Sequence, residues 1–407
     1  MKLEAMGLIL AVALIGGCAG TGQKSGVQTF GDDLAFLKKH CDVVVLSDSS
    51  GAGQVAVIPA MQGRIMTSTA DGCDGLSFGW INRELIASGE FVEHINVFGG
   101  EDRFWIGPEG GQFSIFFAKG VPFDLEHWFT PAPIDTEPFD LTLRSRHSAT
   151  FSRKMKLTNY SGTVFDLRVD REIRMLERDR AAQMLGMEVE PCVQMVAFES
   201  NNKMINTGAQ PWRPQTGLLS IWILGMFNPS PQTTIVVPFI AGPEGQLGPI
   251  VNDAYFGKVP AERLIVKDGV LFFSGDGQYR SKIGLTPQRA RNVCGSYDAA
   301  NQVLTIVQYN KPEGVTEYVN SMWELQEKPF SGDVINSYND GPPEPGAKPL
   351  GPFYELETSS PAAALAAGES ILHTHRTFHL TGDEAALDHV AKALLGVTID
   401  EIKAALP

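Results

Sequence analysis

The 407-residue sequence predicts an all-β chain, a large antiparallel β-sandwich with short terminal helices, on three observations. Runs of β-branched and aromatic residues succeed one another from residue 41 to about 380, broken by Gly, Asn and Asp. Hairpin chemistry stands between some of them, at Asn159–Gly162 (NYSG) and Asp268-Gly269. Helical spacing is confined to the ends of the chain.

The N-terminus, MKLEAMGLILAVALIGGCAG, has a lysine, an apolar run from Met6 to Ile15, two glycines and Cys18. It resembles a bacterial lipoprotein signal: the run is short for a bilayer span and its small-residue end suits cleavage. We therefore expect residues 1–17 to be a signal peptide, Cys18 to carry the lipid, and residues 18–28 to tether the body to a membrane. Residues 32–39 then predict a short helix.

The strand-like runs include DVVVL, QVAVIP, RIMTST, TFSRKMKLTN, TVFDLRVDREIRML, CVQMVAFES, LSIWILGMF, TTIVVPFI, VLTIVQYN and ILHTHRTFHL. Ser331–Pro352 is rich in Pro and Gly, and because strands continue on both sides it is expected to be a long loop over one sandwich spanning residues 29–382. Residues 383–407 predict a helical extension packed on it, with Asp383 as N-cap and Leu387, Val390, Leu394 and Leu395 on one face.

Charge narrows the partners. The formal charge is −14, and removing residues 1–17 leaves it unchanged because Lys2 and Glu4 depart together. Such a body repels nucleic acid and favours a neutral ligand. Cys41, Cys73, Cys192 and Cys294 are widely spaced without a CxxC pair, which leaves room for disulfides in an exported chain but does not build a zinc site.

Two motifs are set aside. Gly51-Ala52-Gly53 with Ala56 matches a relaxed dinucleotide fingerprint, but QVAVIP continues as strand where that motif needs a helix. Gly75-Leu76-Ser77-Phe78-Gly79 matches a nucleophile elbow, yet FGWIN after it reads as extended.

Three stretches remain as candidate site. GGEDRFWIGPEGG, residues 99–111, gathers Glu101, Asp102, Arg103, Trp105 and Glu109 between glycines, the mixture of charged forks and an indole that suits a sugar. FYELETSSPAAALAAGE, residues 353–369, carries Glu357 and Glu369. ILHTHRTFHLTG puts His373, His375 and His379 on one side of a strand, with His389 following. The trio has three readings: a metal site, contact or acid–base chemistry with a sugar, or hydrogen-bonded filling. The spread along the strand argues against one shared ion, so no metal and no cofactor is expected.

LETSSPA, then AGES and a closing strand, resembles the C-terminal signature of galactose mutarotases (aldose 1-epimerases). VAVIPAMQGRIMTSTADG, MKLTNYSGTVFDLRVDREIRML and MINTGAQPW resemble earlier parts of the same family, so the likeness spans about residues 41–380. It implies the galactose mutarotase-like β-supersandwich and, within that superfamily, an uncharacterised family of exported bacterial lipoproteins. It also implies Glu357 as the base that removes the anomeric hydroxyl proton. Asn206, in MINTGAQPW, enters as a sugar contact. Those enzymes place a histidine acid soon after that strand, whereas this chain has no histidine between 148 and 372. His373 and His375 are the first substitutes, with His379, Glu101, Asp102 or Glu109 as other sources of the acid; those four, with Arg103 and Trp105, are also expected to contact the sugar. The reading is an exported, lipid-anchored protein of the bacterial cell envelope that binds a mono- or oligosaccharide and acts as an epimerase-like isomerase. A glycan-binding protein without turnover, a glycoside hydrolase and a polysaccharide lyase are the alternatives.

Overall fold

The computed structural model describes residues 28–407. Residues 1–27, including Cys18, the signal and almost all of the tether, lie outside them.

The chain enters through α1 (Phe30–His40), whose N-cap Thr29 and Asp32 form a reciprocal capping box. It continues through β1 (Val44–Ser47), β2 (Gln54–Ile58), β3 (Arg64–Thr69), α2 (Arg83–Ser88), β4 (Arg103–Gly107) and α3 (Ala132–Asp135). Next come β5 (Asp140–Arg144), β6 (Ser148–Thr158), β7 (Val164–Met175), α4 (Arg178–Leu185), β8 (Gln194–Asn206), β9 (Ser220–Phe227), β10 (Thr233–Pro238) and α5 (Glu244–Leu247). The last third holds β11 (Leu264–Lys267), β12 (Val270–Ser274), β13 (Ser281–Leu285), β14 (Val293–Asp298), β15 (Val303–Tyr309), β16 (Ile335–Asn339), β17 (Tyr354–Ser359) and β18 (Ser370–Thr381). It closes on α6 (Glu384–Leu395) and α7 (Ile399–Lys403).

All strand pairs are antiparallel and fall into three sheets: β1-β2-β3; a ten-stranded sheet β11-β12-β10-β14-β15-β18-β8-β7-β6-β5; and a five-stranded sheet β13-β16-β17-β9-β4. The two larger sheets face each other. One end of the space between them is filled by Ile235, Val237, Leu271, Phe273, Ile283, Leu285 and Leu356, the other by Phe104, Ile106, Phe151, Val169, Phe198 and Ile223. Burying this apolar surface is the main driving force for closing the sandwich.

On its opposite side the ten-stranded sheet is covered by α4, α6 and α7, through Ala181, Leu185, Leu387, Val390, Leu395 and Ile402 against Val236, Phe272, Leu304 and Phe378. The internal helices α2 to α5 were not foreshadowed by sequence spacing; each has 4 to 8 residues, too few to display a periodic face. The Pro/Gly-rich segment is also not wholly loop. INSYN forms β16, which is polar in sequence yet fully paired between β13 and β17, and only the stretch after Asn339 runs free to β17.

Candidate functional site

On β17 successive side chains take opposite faces. Tyr354, Leu356 and Thr358 turn to the ten-stranded sheet, where the Tyr354 hydroxyl meets Ser296 Oγ at 2.8 Å. Glu355 and Glu357 turn the other way. The register lays Asn336 of β16 and Leu224 of β9 beside Glu357, and Arg103 of β4 beside Leu224, so Lys282, Asn336, Glu355, Glu357, Trp222, Arg103 and Trp105 share that outer face.

The centre is an ion pair. Lys282 Nζ lies 3.1 Å from each carboxylate oxygen of Glu357 and hydrogen-bonds Oε2. Its ammonium sits 4.7 Å from the Trp222 ring centre and 5.7 Å from that of Tyr255, within cation–π range. Tyr255 comes from the segment between α5 and β11. Its hydroxyl donates to Asp333 Oδ2 at 2.6 Å and accepts from Asn336 Nδ2 at 3.1 Å. On the other side, Trp105 Nε1 donates to Glu109 Oε1 at 3.0 Å, while Arg103 lies 4.1 Å from the Trp105 ring and bridges Asp135 at 2.9 Å.

Arg103 is matched by Asp135 and Lys282 by Glu357, which leaves Glu109 and Glu355 without a cation of their own. Burial, joined by the Glu357 charge, pushes Glu355 well above the ordinary carboxylate range, and burial raises Glu109 as well. Burial opposes the Lys282 ammonium, but Glu357, Glu109 and Glu355 together outweigh it, so its pKa lies above the usual lysine value. One face thus holds a carboxylate fixed against an ammonium beside two carboxyl groups that favour their protons. A base and an acid split apart by environment is the arrangement proton transfer requires. The Trp222 indole N–H is buried without a partner, a spare donor at the edge of the cluster.

The histidine strand is elsewhere, and the expectation that it walls the same groove is corrected. His373, His375 and His379 are buried on the face of β18 that looks between the sheets. Thr358 Oγ1 lies 2.8 Å from His373 Nε2 and 2.9 Å from His375 Nδ1, on the opposite side of β17 from Glu357. Burial drives His373 down to about 3 and His375 to about 4, so both are neutral imidazoles near pH 7. His379 bonds Glu101 Oε2 at 2.8 Å and Thr305 Oγ1 at 2.9 Å and stacks on Phe78 at 4.3 Å.

The glycine-flanked motif divides likewise. Gly99 and Gly100 have φ of +93° and +107°, and a Cβ on Gly99 would stand 2.1 Å from the Trp80 carbonyl, so only glycine lets the chain pass there. Glu101 and Asp102 then enter the intersheet space, Asp102 pairing with Arg171 at 2.6 Å with both side chains fully buried. They are corrected from sugar contacts to interior ion pairs, leaving Arg103, Trp105 and Glu109 with Glu357. Asn206 is corrected too: its amide bonds the carbonyls of Gln210 and Leu365 and the Gly208 N–H, pinning a turn. Among the described residues no three His, Cys, Asp or Glu side chains converge as a metal-ligand set.

Lys282, Trp222, Tyr255, Asp333, Asn336 and Glu355 complete the cluster without having been singled out in the sequence. Glu355 alone left a signal, since it stands two residues from Glu357 on one strand and must share its face. The others sit in runs that read as core strand or plain loop.

With that geometry in place, the family model for DUF6786, a family of unknown function, matches residues 28–406. The chain belongs to DUF6786. No curated protein matches it. Solved structures similar to this DUF6786 chain include a putative aldose 1-epimerase from Escherichia coli K12, 14% identical, covering 84% of this chain and 99% of that one with a TM-score of 0.49. A galactose mutarotase-like protein from Lactobacillus casei is 10% identical over 83% and 100% of the two chains, TM-score 0.46. A galactose mutarotase-related enzyme from Lactobacillus acidophilus is 10% identical over 84% and 99%, TM-score 0.45. The sandwich class of the DUF6786 chain rests on its own strand topology.

Proposed function

We propose that the outer face of the five-stranded sheet binds a neutral sugar and moves a proton at its anomeric centre, with Glu357 as base and Glu109 as acid. The observation that carries this is the set of one ammonium and three carboxyl groups, Lys282 with Glu357, Glu355 and Glu109, gathered against Trp222 and Trp105. Indole faces cover the apolar C–H side of a sugar, and the Trp222 N–H supplies a donor for a hydroxyl. Glu109 suits the acid because burial makes it keep its proton to higher pH and its carboxyl is held by the Trp105 indole beside the cluster. Lys282 hydrogen-bonds Glu357 and positions it. Of the acids the sequence offers, the histidine face or Glu101, Asp102 or Glu109, this reading takes Glu109.

The exported, lipid-anchored location is part of the same proposal and rests on residues 1–18 alone. Titration of the soluble chain, residues 29–407, with neutral mono- and oligosaccharides, followed by calorimetry and by NMR of the anomeric protons, tests the reading. Binding with accelerated anomer exchange supports it, binding without exchange reduces it to a glycan-binding protein, and absence of binding removes it.

A further inference from the structure

A cavity of about 350 Å³ opens between the two large sheets away from Glu357. It has room for on the order of ten water-sized groups. Its walls include four aromatic rings, Phe78, Trp80, Phe227 and Tyr354, with His379 behind them and Asp298 at the side.

Two properties define what it can hold. First, most of its polar side chains are engaged by neighbouring groups. The Asn228 amide donates to the carbonyls of Ser77 and Gly79, Thr305 is engaged by His379, Tyr354 by Ser296, and the Asn301 amide by Asp298 at 2.6 Å. Few directional donors remain for a sugar or a peptide, whose polar groups would be left unpaired. Second, it carries a carboxylate: Asp298 lines it, and among the described residues no Lys or Arg does.

Ring faces and a carboxylate, with directional partners mostly engaged, select a ligand recognised by contact and charge. We propose that this cavity binds a small organic cation with an apolar body, of the quaternary-ammonium class. The site is separate from the Lys282–Glu357 cluster and does not depend on any activity there.

The test is calorimetric titration of the full chain with choline and with its uncharged isostere 3,3-dimethylbutan-1-ol. Choline is expected to bind at least about tenfold more tightly than the isostere, since a cation over several rings gains what a neutral group of the same shape does not. Trp80→Leu is expected to weaken choline about tenfold while the protein still melts cooperatively, and Asp298→Asn to weaken it in the same direction. Equal binding of choline and isostere by the wild type would overturn the proposal in favour of a merely apolar cavity. Failure of both to bind would overturn it outright, and neither outcome depends on a variant folding.

Discussion

Lys282 Nζ stands 3.1 Å from both carboxylate oxygens of Glu357, with the carboxylate fully buried and the lysine side chain about a tenth exposed. Taking two charges out of water is expensive, and the pair holds only because each ion satisfies the other. Removing one partner strands its mate. Glu357→Gln or Lys282→Met alone is therefore expected to cost about 3–5 kcal/mol of stability, and the double variant clearly less than the sum. Urea melts of the four proteins measure the coupling.

Glu355 gives a pH signature. Its folded pKa is raised above the ordinary carboxylate value of 4.5, so its contribution is fully present below that value and is lost as pH climbs through the raised one. Glu355→Gln cannot ionise. Its melting temperature relative to the wild type is expected to rise as pH climbs above 4.5 and to level off once Glu355 ionises in the folded protein, which thermal melts across pH check.

Asp102 and Arg171, 2.6 Å apart and both without exposure, test whether the first half of the glycine-flanked motif is interior architecture. Asp102→Asn leaves the guanidinium with its Asn202 and backbone contacts but no charge partner. A loss of about 3–5 kcal/mol is expected in denaturant melts, with sugar affinity of the folded fraction unchanged.

Thr358 offers one hydroxyl to two imidazoles. Its Oγ1 lies within hydrogen-bond distance of one ring nitrogen of each, His373 Nε2 and His375 Nδ1. Thr358→Val keeps the shape and removes both bonds. The expected cost is about 1–3 kcal/mol for each imidazole left unsatisfied, read from chemical denaturation.

Much of the sandwich was readable because strands declare themselves by β-branched and aromatic runs, and TVFDLRVDREIRML is β7 almost to the residue. The facing of those strands was not. Alternation says that His373, His375 and His379 share a side, but β18 is buried on both faces over much of its length, and only the packing of β17 across the core decides which side meets Thr358. The same limit applies to Glu101 and Asp102, whose direction is set by the two left-handed glycines before them. Lys282, Trp222 and Tyr255 were invisible for another reason. They reach Glu357 from two further strands and a loop, through lateral register that one sequence does not encode locally. The Arg103, Trp105, Glu109 trio was found by residue chemistry and Glu357 through the family resemblance, and the fold brings them together.

The most direct test of the proposed site is the rate of anomer interconversion of a bound neutral aldose, measured by exchange NMR on wild type, Glu357→Gln and Glu109→Gln. The prediction is catalysis by the wild type, a loss of at least about 100-fold in Glu357→Gln with affinity changed only a few-fold, and loss in Glu109→Gln of the fall in rate seen as the acid deprotonates at high pH. A wild-type rate no faster than buffer, or a Glu357→Gln rate equal to wild type, would contradict it.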